Sequence, residues 1–150
     1  MNIVLLEPEI HFNTGNVGRT CVAAGAALHL VGKLGFSLSE RQIRRSGLDY
    51  WPKLKLFRHE DFEAFAASLP PKACLLAFSA QGKKTIWDAE FHGDSYLIFG
   101  GESKGLADRL IKRFDRKLYR IPMGPDIRSL NLSTAVGIVL YEALRRTSSR

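Results

Sequence analysis

The stretch that decides the fold covers residues 121–133 and reads IPMGPDIRSLNLS. Residues 118–121 lead into it as a predicted strand, and a predicted helix over residues 132–145 follows. Two prolines stiffen the loop at low entropic cost. Near the start of that helix stand Ser129, Asn131 and Ser133, which are more polar side chains than one helix cap requires. A rigid loop with surplus polar groups predicts a binding site; the alternative is a stiff, capped turn.

Outward from this loop, strand-like and helix-like segments alternate. Strands are predicted over residues 3–6, 28–32, 55–57, 74–78, 96–99 and 118–121. Helices are predicted over residues 16–27, 39–46, 59–69, 106–114 and 132–145. This alternation predicts a single α/β domain over residues 1–150, with a mainly parallel sheet flanked by helices. Ligands of such sheets bind beyond the carboxyl ends of strands. The loops over residues 13–19, 100–105 and 123–133 are therefore the candidate sites.

The composition is that of an ordinary globular protein with excess positive charge. Of the 150 residues, 45% are hydrophobic and 25% charged, and the net charge is +7. Such an excess favours a polyanionic partner. Two cysteines in apolar runs favour a reducing compartment. With neither a signal-peptide pattern nor an apolar run of about 20 residues, the sequence predicts a cytoplasmic protein without a membrane span.

Positive charge is concentrated between residues 41 and 58. This segment contains the single acid Asp49, and the aromatic residues Tyr50 and Trp51 lie inside it. Its basic residues are Arg41, Arg44, Arg45, Lys53, Lys55 and Arg58. Basic groups beside aromatic rings suit an RNA backbone with unstacked bases. Composition alone equally favours a solvated basic face, with Trp51 partly covering the core.

Common nucleotide and hydrolase motifs do not match. The segment Gly82-Lys83-Lys84-Thr85 approaches a phosphate-binding P-loop, but Ala77 stands where that motif needs its first glycine. The turn after the first strand lacks the first glycine of a dinucleotide fingerprint. The sequence also contains no H-E-x-x-H, no G-x-S-x-G and no Cys/His cluster. A nucleoside triphosphate, a dinucleotide, a metal site and triad chemistry are all disfavoured.

The first candidate loop, residues 13–19, carries a cation near a helix start. Asn13 or Asn16 is expected to cap the helix. Arg19 is then expected in the first turn, where a cation opposes the helix dipole and an anion such as phosphate would compensate. The alternative is a capped turn with a solvated arginine.

The second candidate loop, residues 100–105, begins with paired glycines. After a buried strand, Gly100 and Gly101 allow backbone to approach a ligand closely. Glu102 is placed to neutralise a cation, either Arg19 or one in a ligand. The alternative is a tight strand–helix turn with Glu102 at the positive end of the helix.

Together the three loops resemble the motifs of the SPOUT methyltransferases, and within them the minimal TrmL type, which methylates the ribose 2′-OH of the tRNA wobble nucleotide. The similarity covers nearly the whole chain. The first motif is Asn13-Thr14-Gly15-Asn16 with Arg19, and the second is Phe99-Gly100-Gly101-Glu102-Ser103-Lys104-Gly105-Leu106. The third motif is the stretch quoted first. Gly47-Leu48-Asp49-Tyr50 is similar to the segment after the second strand of that type.

The resemblance implies properties that periodicity does not. It implies a deep C-terminal trefoil knot, which general topology rules argue against. It implies S-adenosylmethionine as methyl donor, no metal, and an obligate homodimer whose site is completed across the interface. Carried over by position, the donor-binding residues are Phe78, Gly100, Ile121, Ser129 and Leu130.

The implied reaction is methylation of nucleotide 34, a cytidine or uridine, in tRNA, with leucine tRNAs as expected substrates. Arg19 is expected to grip the target phosphate and stabilise developing alkoxide charge. Glu102, Ser129 and Asn131 complete the predicted catalytic group. The anticodon stem-loop is expected to contact Asn16, Arg19, Arg41, Arg44 and Arg45. Alternatives are a ribosomal RNA 2′-O-methyltransferase of the same fold and a non-catalytic RNA-binding module.

Overall fold

A computed structural model describes residues 1–37 and 50–148 of the chain. The strands in these residues are β1 (Asn2–Leu6), β2 (Ala27–Val31), β3 (Leu56–His59), β4 (Leu75–Phe78), β5 (Lys84–Thr85), β6 (Tyr96–Phe99) and β7 (Leu118–Arg120). The α-helices are α1 (His11–Ala24), α2 (Phe62–Ala67), α3 (Asp108–Arg113) and α4 (Leu132–Thr147). The helix predicted over residues 39–46 lies outside the described residues. No helix among those described is long and apolar enough to cross a membrane.

The strands form one sheet in the order β3-β2-β1-β6-β4-β7-β5. Every pair of neighbouring strands is parallel. The predicted α/β architecture with a mainly parallel sheet is therefore confirmed. The two-residue edge strand β5 was not predicted, because so short a segment carries no periodic pattern.

Both faces of the sheet are buried, as parallel sheets require. In β1, Ile3 and Leu5 face one apolar cluster while Val4 and Leu6 face the other. The first cluster includes side chains of α1 and α4, and the second includes side chains of α2 and α3. The molecule thus has three layers, with the sheet between two pairs of helices.

The predicted start of the first helix is wrong. Helix α1 begins at His11 rather than at Asn16, so the segment 13–19 is helical and not a loop. Neither Asn13 nor Asn16 is the N-cap residue. That position is occupied by Ile10, whose side chain makes no capping hydrogen bond. The amides of Glu9 and Ile10 instead donate to the carboxylate of Glu102, at 2.7 and 3.1 Å. A cap supplied from another loop has no local sequence signal.

Two other helices are shorter than predicted, and the last is longer. Helix α2 begins after Asp61, whose carboxylate accepts a hydrogen bond from the Ala64 amide at 2.8 Å. That cap leaves the preceding His59 free to pair in β3. Helix α3 occupies only Asp108–Arg113 of the predicted 106–114, whereas α4 continues to Thr147.

Two histidines pair on the sheet face that carries α2. Nδ1 of His29 lies 3.0 Å from Nε2 of His59, and both rings contact Phe65. The buried Nε2 of His29 has no hydrogen-bond partner among the described residues. Burial, and to a smaller extent the charge of His59, lowers the pKa of His29 to about 4. Burial also lowers the pKa of His59. The folded state therefore favours neutral rings.

We expect the free energy of unfolding to fall by about 1–2 kcal/mol as the pH drops from 6.5 to 5. In that range His29 of the unfolded chain takes up a proton while folded His29 does not, so protonation favours unfolding. The stabilisation is fully present above pH 6.5 and is lost as the pH falls towards 4. Urea unfolding at a series of pH values measures it. His29→Phe should flatten this dependence; an unchanged slope in that variant would contradict the assignment to His29.

Candidate active site

A cavity of about 480 Å³ lies beyond the carboxyl ends of β4, β6 and β7. This volume is typical of a site for a small molecule. Its wall is formed by the segments that follow these three strands, together with the beginnings of α1 and α4. The position agrees with the rule that parallel sheets bind ligands at this end.

Most of the predicted site residues meet at this cavity. The predicted site residues that line it are Phe78, Gly100, Glu102, Ile121, Ser129, Leu130 and Asn131. Asn16 and Arg19 lie on α1 and do not line it. Arg41, Arg44 and Arg45 lie outside the described residues, so their predicted contact with RNA stays a prediction.

Sequence reasoning missed part of the wall. Ser79, Ala80 and Gln81 line the cavity directly after β4, although this loop was not among the three candidates. A signal existed, because the loop follows a buried apolar strand. Asn13 also lines the cavity; it belongs to the first candidate loop and motif, but neither a donor-binding nor a catalytic role was predicted for it.

A chain of hydrogen bonds connects the beginnings of α1 and α4. Asn131 donates through Nδ2 to Oδ1 of Asn13 at 2.9 Å, and Asn13 donates through Nδ2 to Oε1 of Glu102 at 3.0 Å. Asn131 also caps α4, since its Oδ1 accepts from the amides of Ser133 and Thr134 at 2.9 and 3.3 Å. The side-chain amides of Asn131 and Asn13 and the carboxylate of Glu102 therefore fix the loops around the cavity.

A second set of hydrogen bonds fixes the same loop, and here the acceptor is the carboxylate of Glu9. The carboxylate of Glu9 accepts from the amide and hydroxyl of Ser103, at 3.1 and 2.7 Å. These hydrogen bonds, the hydroxyl first, hold the pKa of Glu9 below its usual value. The carboxylates of Glu102 and Glu9 thus join residues 9–10 to residues 102–103, two segments that are over 90 residues apart.

Glu102→Gln is expected to lower the free energy of unfolding by about 1–2 kcal/mol. Both carboxylate oxygens accept from donors, namely the amides of Glu9 and Ile10 and the side chain of Asn13. A glutamine amide would place its NH₂ group against one of these donors. Chemical denaturation measures the change, and Glu60→Gln makes the same replacement on an exposed side chain. A loss no larger than that of the control would show that Glu102 does not hold the loop.

The glycine loop after β6 folds back tightly on itself. Gly101 and Gly105 form an antiparallel bridge, in which the Gly105 amide donates to the Gly101 carbonyl at 2.9 Å. A Cβ atom at Gly100 would lie 2.0 Å from the carbonyl carbon of Gly105. Real Cβ contacts are never so short, so only glycine fits this position. The close approach at Gly100 is thus to the chain's own backbone, as in the alternative of a tight turn, and the predicted approach to a ligand stays a prediction.

The surroundings of Arg19 differ from the prediction. Arg19 is the ninth residue of α1 and not part of its first turn, so the argument from the helix dipole does not apply. Its guanidinium lies 5.0 Å from the centre of the Tyr50 ring. The Tyr50 hydroxyl donates to the carbonyl of Gly15 at 2.6 Å. Tyr50 thereby fixes the direction in which this exposed cation leaves the helix.

A model of the SpoU rRNA Methylase family matches residues 1–141. The chain belongs to the SpoU methylase family. This membership confirms the resemblance to the SPOUT methyltransferases. A tRNA (cytidine(34)-2′-O)-methyltransferase of Burkholderia pseudomallei is 45% identical over 97% of this chain and 94% of its own. The enzyme of the same name from Escherichia coli is 40% identical over 97% and 93%.

Solved structures of SpoU-type proteins share the fold. One, from work on 2-OH methylation of C/U34 on tRNA, has a TM-score of 0.91 at 47% identity and covers 97% of this chain and 94% of its own. An AdoMet-bound rRNA methyltransferase from Sinorhizobium meliloti has a TM-score of 0.83 at 28% identity. The match covers 99% of this chain and 57% of that one.

Proposed function

We propose that this protein transfers a methyl group from S-adenosylmethionine to the ribose 2′-OH of nucleotide 34, a cytidine or uridine, in tRNA. The observation that carries the proposal is the cavity, whose wall contains all five predicted donor-binding residues. The family supports methyl transfer, and relatives that are 40–45% identical are named for position 34 of tRNA. The rRNA methyltransferase is more distant, at 28%, which favours tRNA over ribosomal RNA.

The residues that line the cavity suit S-adenosylmethionine in their chemistry. Phe78, Ile121 and Leu130 provide apolar wall, and the glycine loop presents backbone groups without side chains. Relatives of this fold bind the same molecule. When bound, S-adenosylmethionine supplies an electrophilic methyl group. The protein then has to orient the accepting hydroxyl, and such positioning can contribute about 7–11 kcal/mol.

The residues divide into two roles. Glu102 and Asn131 are positioning residues, because their polar atoms are already bonded to Asn13 and to helix amides. Arg19 is exposed and has no ion pair with another described residue, so its guanidinium is available to a phosphate and to developing alkoxide charge. Ser129 lies exposed at the cavity and is available to the substrate.

Dimerisation would explain why Arg19 lies away from the cavity of its own chain. Helices α1 and α4 pack together and expose large apolar side chains: Phe12 is 65% exposed, Tyr141 53% and Ile138 38%. Such side chains are suited to an interface. We infer a homodimer in which Arg19 of one protomer serves the cavity of its partner. The single domain over residues 1–150, the trefoil knot and a cytoplasmic location belong to the same proposal.

Calorimetric titration of the purified protein with S-adenosylmethionine tests the proposal against a non-catalytic RNA-binding module. Saturable binding with one donor per chain is expected. A protein that binds tRNA but not the donor would support the RNA-binding module instead.

A further inference from the structure

The β5 edge of the sheet carries a cluster of exposed basic side chains. This edge and β3 are the two opposite edges of the sheet, and β3 contains the end of the basic segment of residues 41–58. The cluster consists of Lys83, Lys84, Arg116, Lys117, Arg120 and Arg146, all exposed. Nearby acids offset part of this charge: Asp115 pairs with Lys83 at 2.9 Å, Asp88 accepts from the Thr85 amide at 2.8 Å, and Glu142 interacts electrostatically with Arg146. The surface therefore retains net positive charge.

Trp87 lies three residues after Lys84, and its side chain is 57% exposed. It belongs to a 3₁₀ turn, Ile86–Asp88, that a capping box of Thr85 and Asp88 closes. Ile86 and Ala89, on either side of it, are fully buried. Arg146 donates to the Trp87 carbonyl at 3.0 Å. The indole is thus presented to solvent from a fixed backbone, as a stacking platform requires.

The same surface is continuous with the rim of the donor cavity. Gln81 and Ile121 line the cavity. In the sequence, Ile121 directly follows Arg120, and Gln81 stands two residues before Lys83. The Arg120 guanidinium donates to the carbonyls of Gly82 and Lys83, at 2.9 and 3.2 Å. A guanidinium has five N–H donors, so Arg120 keeps others for a ligand.

We propose that Trp87 and the basic side chains around it form a second RNA-binding surface. An unpaired base stacks on the indole, while Lys84, Arg120 and Arg146 contact backbone phosphates. Positive charge beside an exposed aromatic ring favours single-stranded RNA over a protein partner. This proposal rests on the proposed function and adds a second site of contact to it.

Fluorescence offers a direct test, because the chain has only two tryptophans, Trp51 and Trp87. In Trp51→Phe the emission reports on Trp87 alone. Titration with an unmodified leucine tRNA transcript is expected to quench it, since a stacked base contacts the ring. Trp87→Phe provides the matched protein that reports on Trp51. Unchanged emission from Trp87 at saturating tRNA would overturn the proposal.

Affinity provides the second measurement. Trp87→Ala is expected to raise the Kd for the transcript about fivefold or more. Lys84→Gln is expected to reduce the slope of log K against log salt by roughly 0.7–0.9, and Lys112→Gln on α3 is the control of equal charge. A folded Trp87→Ala protein with the wild-type Kd would overturn the proposal, and is also the result expected if a protein occupies this surface. Failure of the proposed function is distinct, because the unaltered protein would then not methylate tRNA.

Discussion

Arg19→Ala is expected to lower the rate of methyl transfer to tRNA by roughly 10²–10³-fold. The variant loses the cation that we assign to the target phosphate and the developing alkoxide. Donor affinity should stay unchanged, because Arg19 is assigned to the target phosphate and the alkoxide rather than to the donor, and it does not line the cavity of its own chain. Single-turnover methylation with saturating donor measures the rate, and calorimetry measures the affinity.

Two further variants sharpen this test. Arg19→Lys keeps the charge but loses the planar, two-pronged donor, so it should recover only part of the rate. Lys112→Ala removes an exposed cation from α3 and should leave the rate unchanged. Arg19→Ala activity within about threefold of the unaltered protein would contradict the assignment of Arg19.

Gly100→Ala is expected to reduce methylation by roughly 10²-fold, since a misplacement of about 1 Å in a site has an effect of that size. The added methyl group would lie 2.0 Å from the Gly105 carbonyl carbon and 2.3 Å from the Leu106 amide nitrogen. Both are backbone atoms, so relief requires opening the Gly101–Gly105 bridge. In contrast to Arg19→Ala, the loss should show as weaker donor binding in calorimetry.

Gly124→Ala is the matched control for Gly100→Ala. Gly124 lies in the loop before α4, and a Cβ atom there meets nothing within 4 Å. This variant should bind the donor as the unaltered protein does. Equal losses in the two variants would show that neither reflects the close approach at Gly100.

Mixing the two inactive variants tests the homodimer. If Arg19 serves the partner's cavity, a mixed dimer of Arg19→Ala and Gly100→Ala contains one intact site. Random exchange of equal amounts should then restore about a quarter of the full activity. If each chain completes its own site, both sites of the mixed dimer are defective and the mixture stays inactive.

Strands were more predictable from the sequence than helix starts. The residues of β1, β2, β4 and β6 are mostly apolar because both faces of the sheet are covered, and such runs are visible locally. The start of α1 was not visible, because its cap comes from Glu102, more than 90 residues away. Because of that error, Arg19 was predicted in the first turn of the helix, whereas it is the ninth residue of α1.

For the site, sequence reasoning identified the residues better than their contacts. The predicted donor-binding residues all line one cavity, but they were chosen from the family resemblance rather than from spacing. The bonds that join Asn131, Asn13 and Glu102 were not predictable, because they connect three distant segments. The proposed trefoil knot would likewise depend on how the chain threads, which no local pattern encodes.

The most direct test is methylation of total tRNA from a strain that lacks this gene. The purified protein is incubated with this tRNA and S-adenosylmethionine carrying a labelled methyl group, and the labelled nucleotide is mapped by nuclease digestion and mass spectrometry. We predict a single label on the ribose 2′-oxygen of nucleotide 34, a cytidine or uridine. A label on a base, a label at another nucleotide, or no label in tRNA would contradict the proposed function.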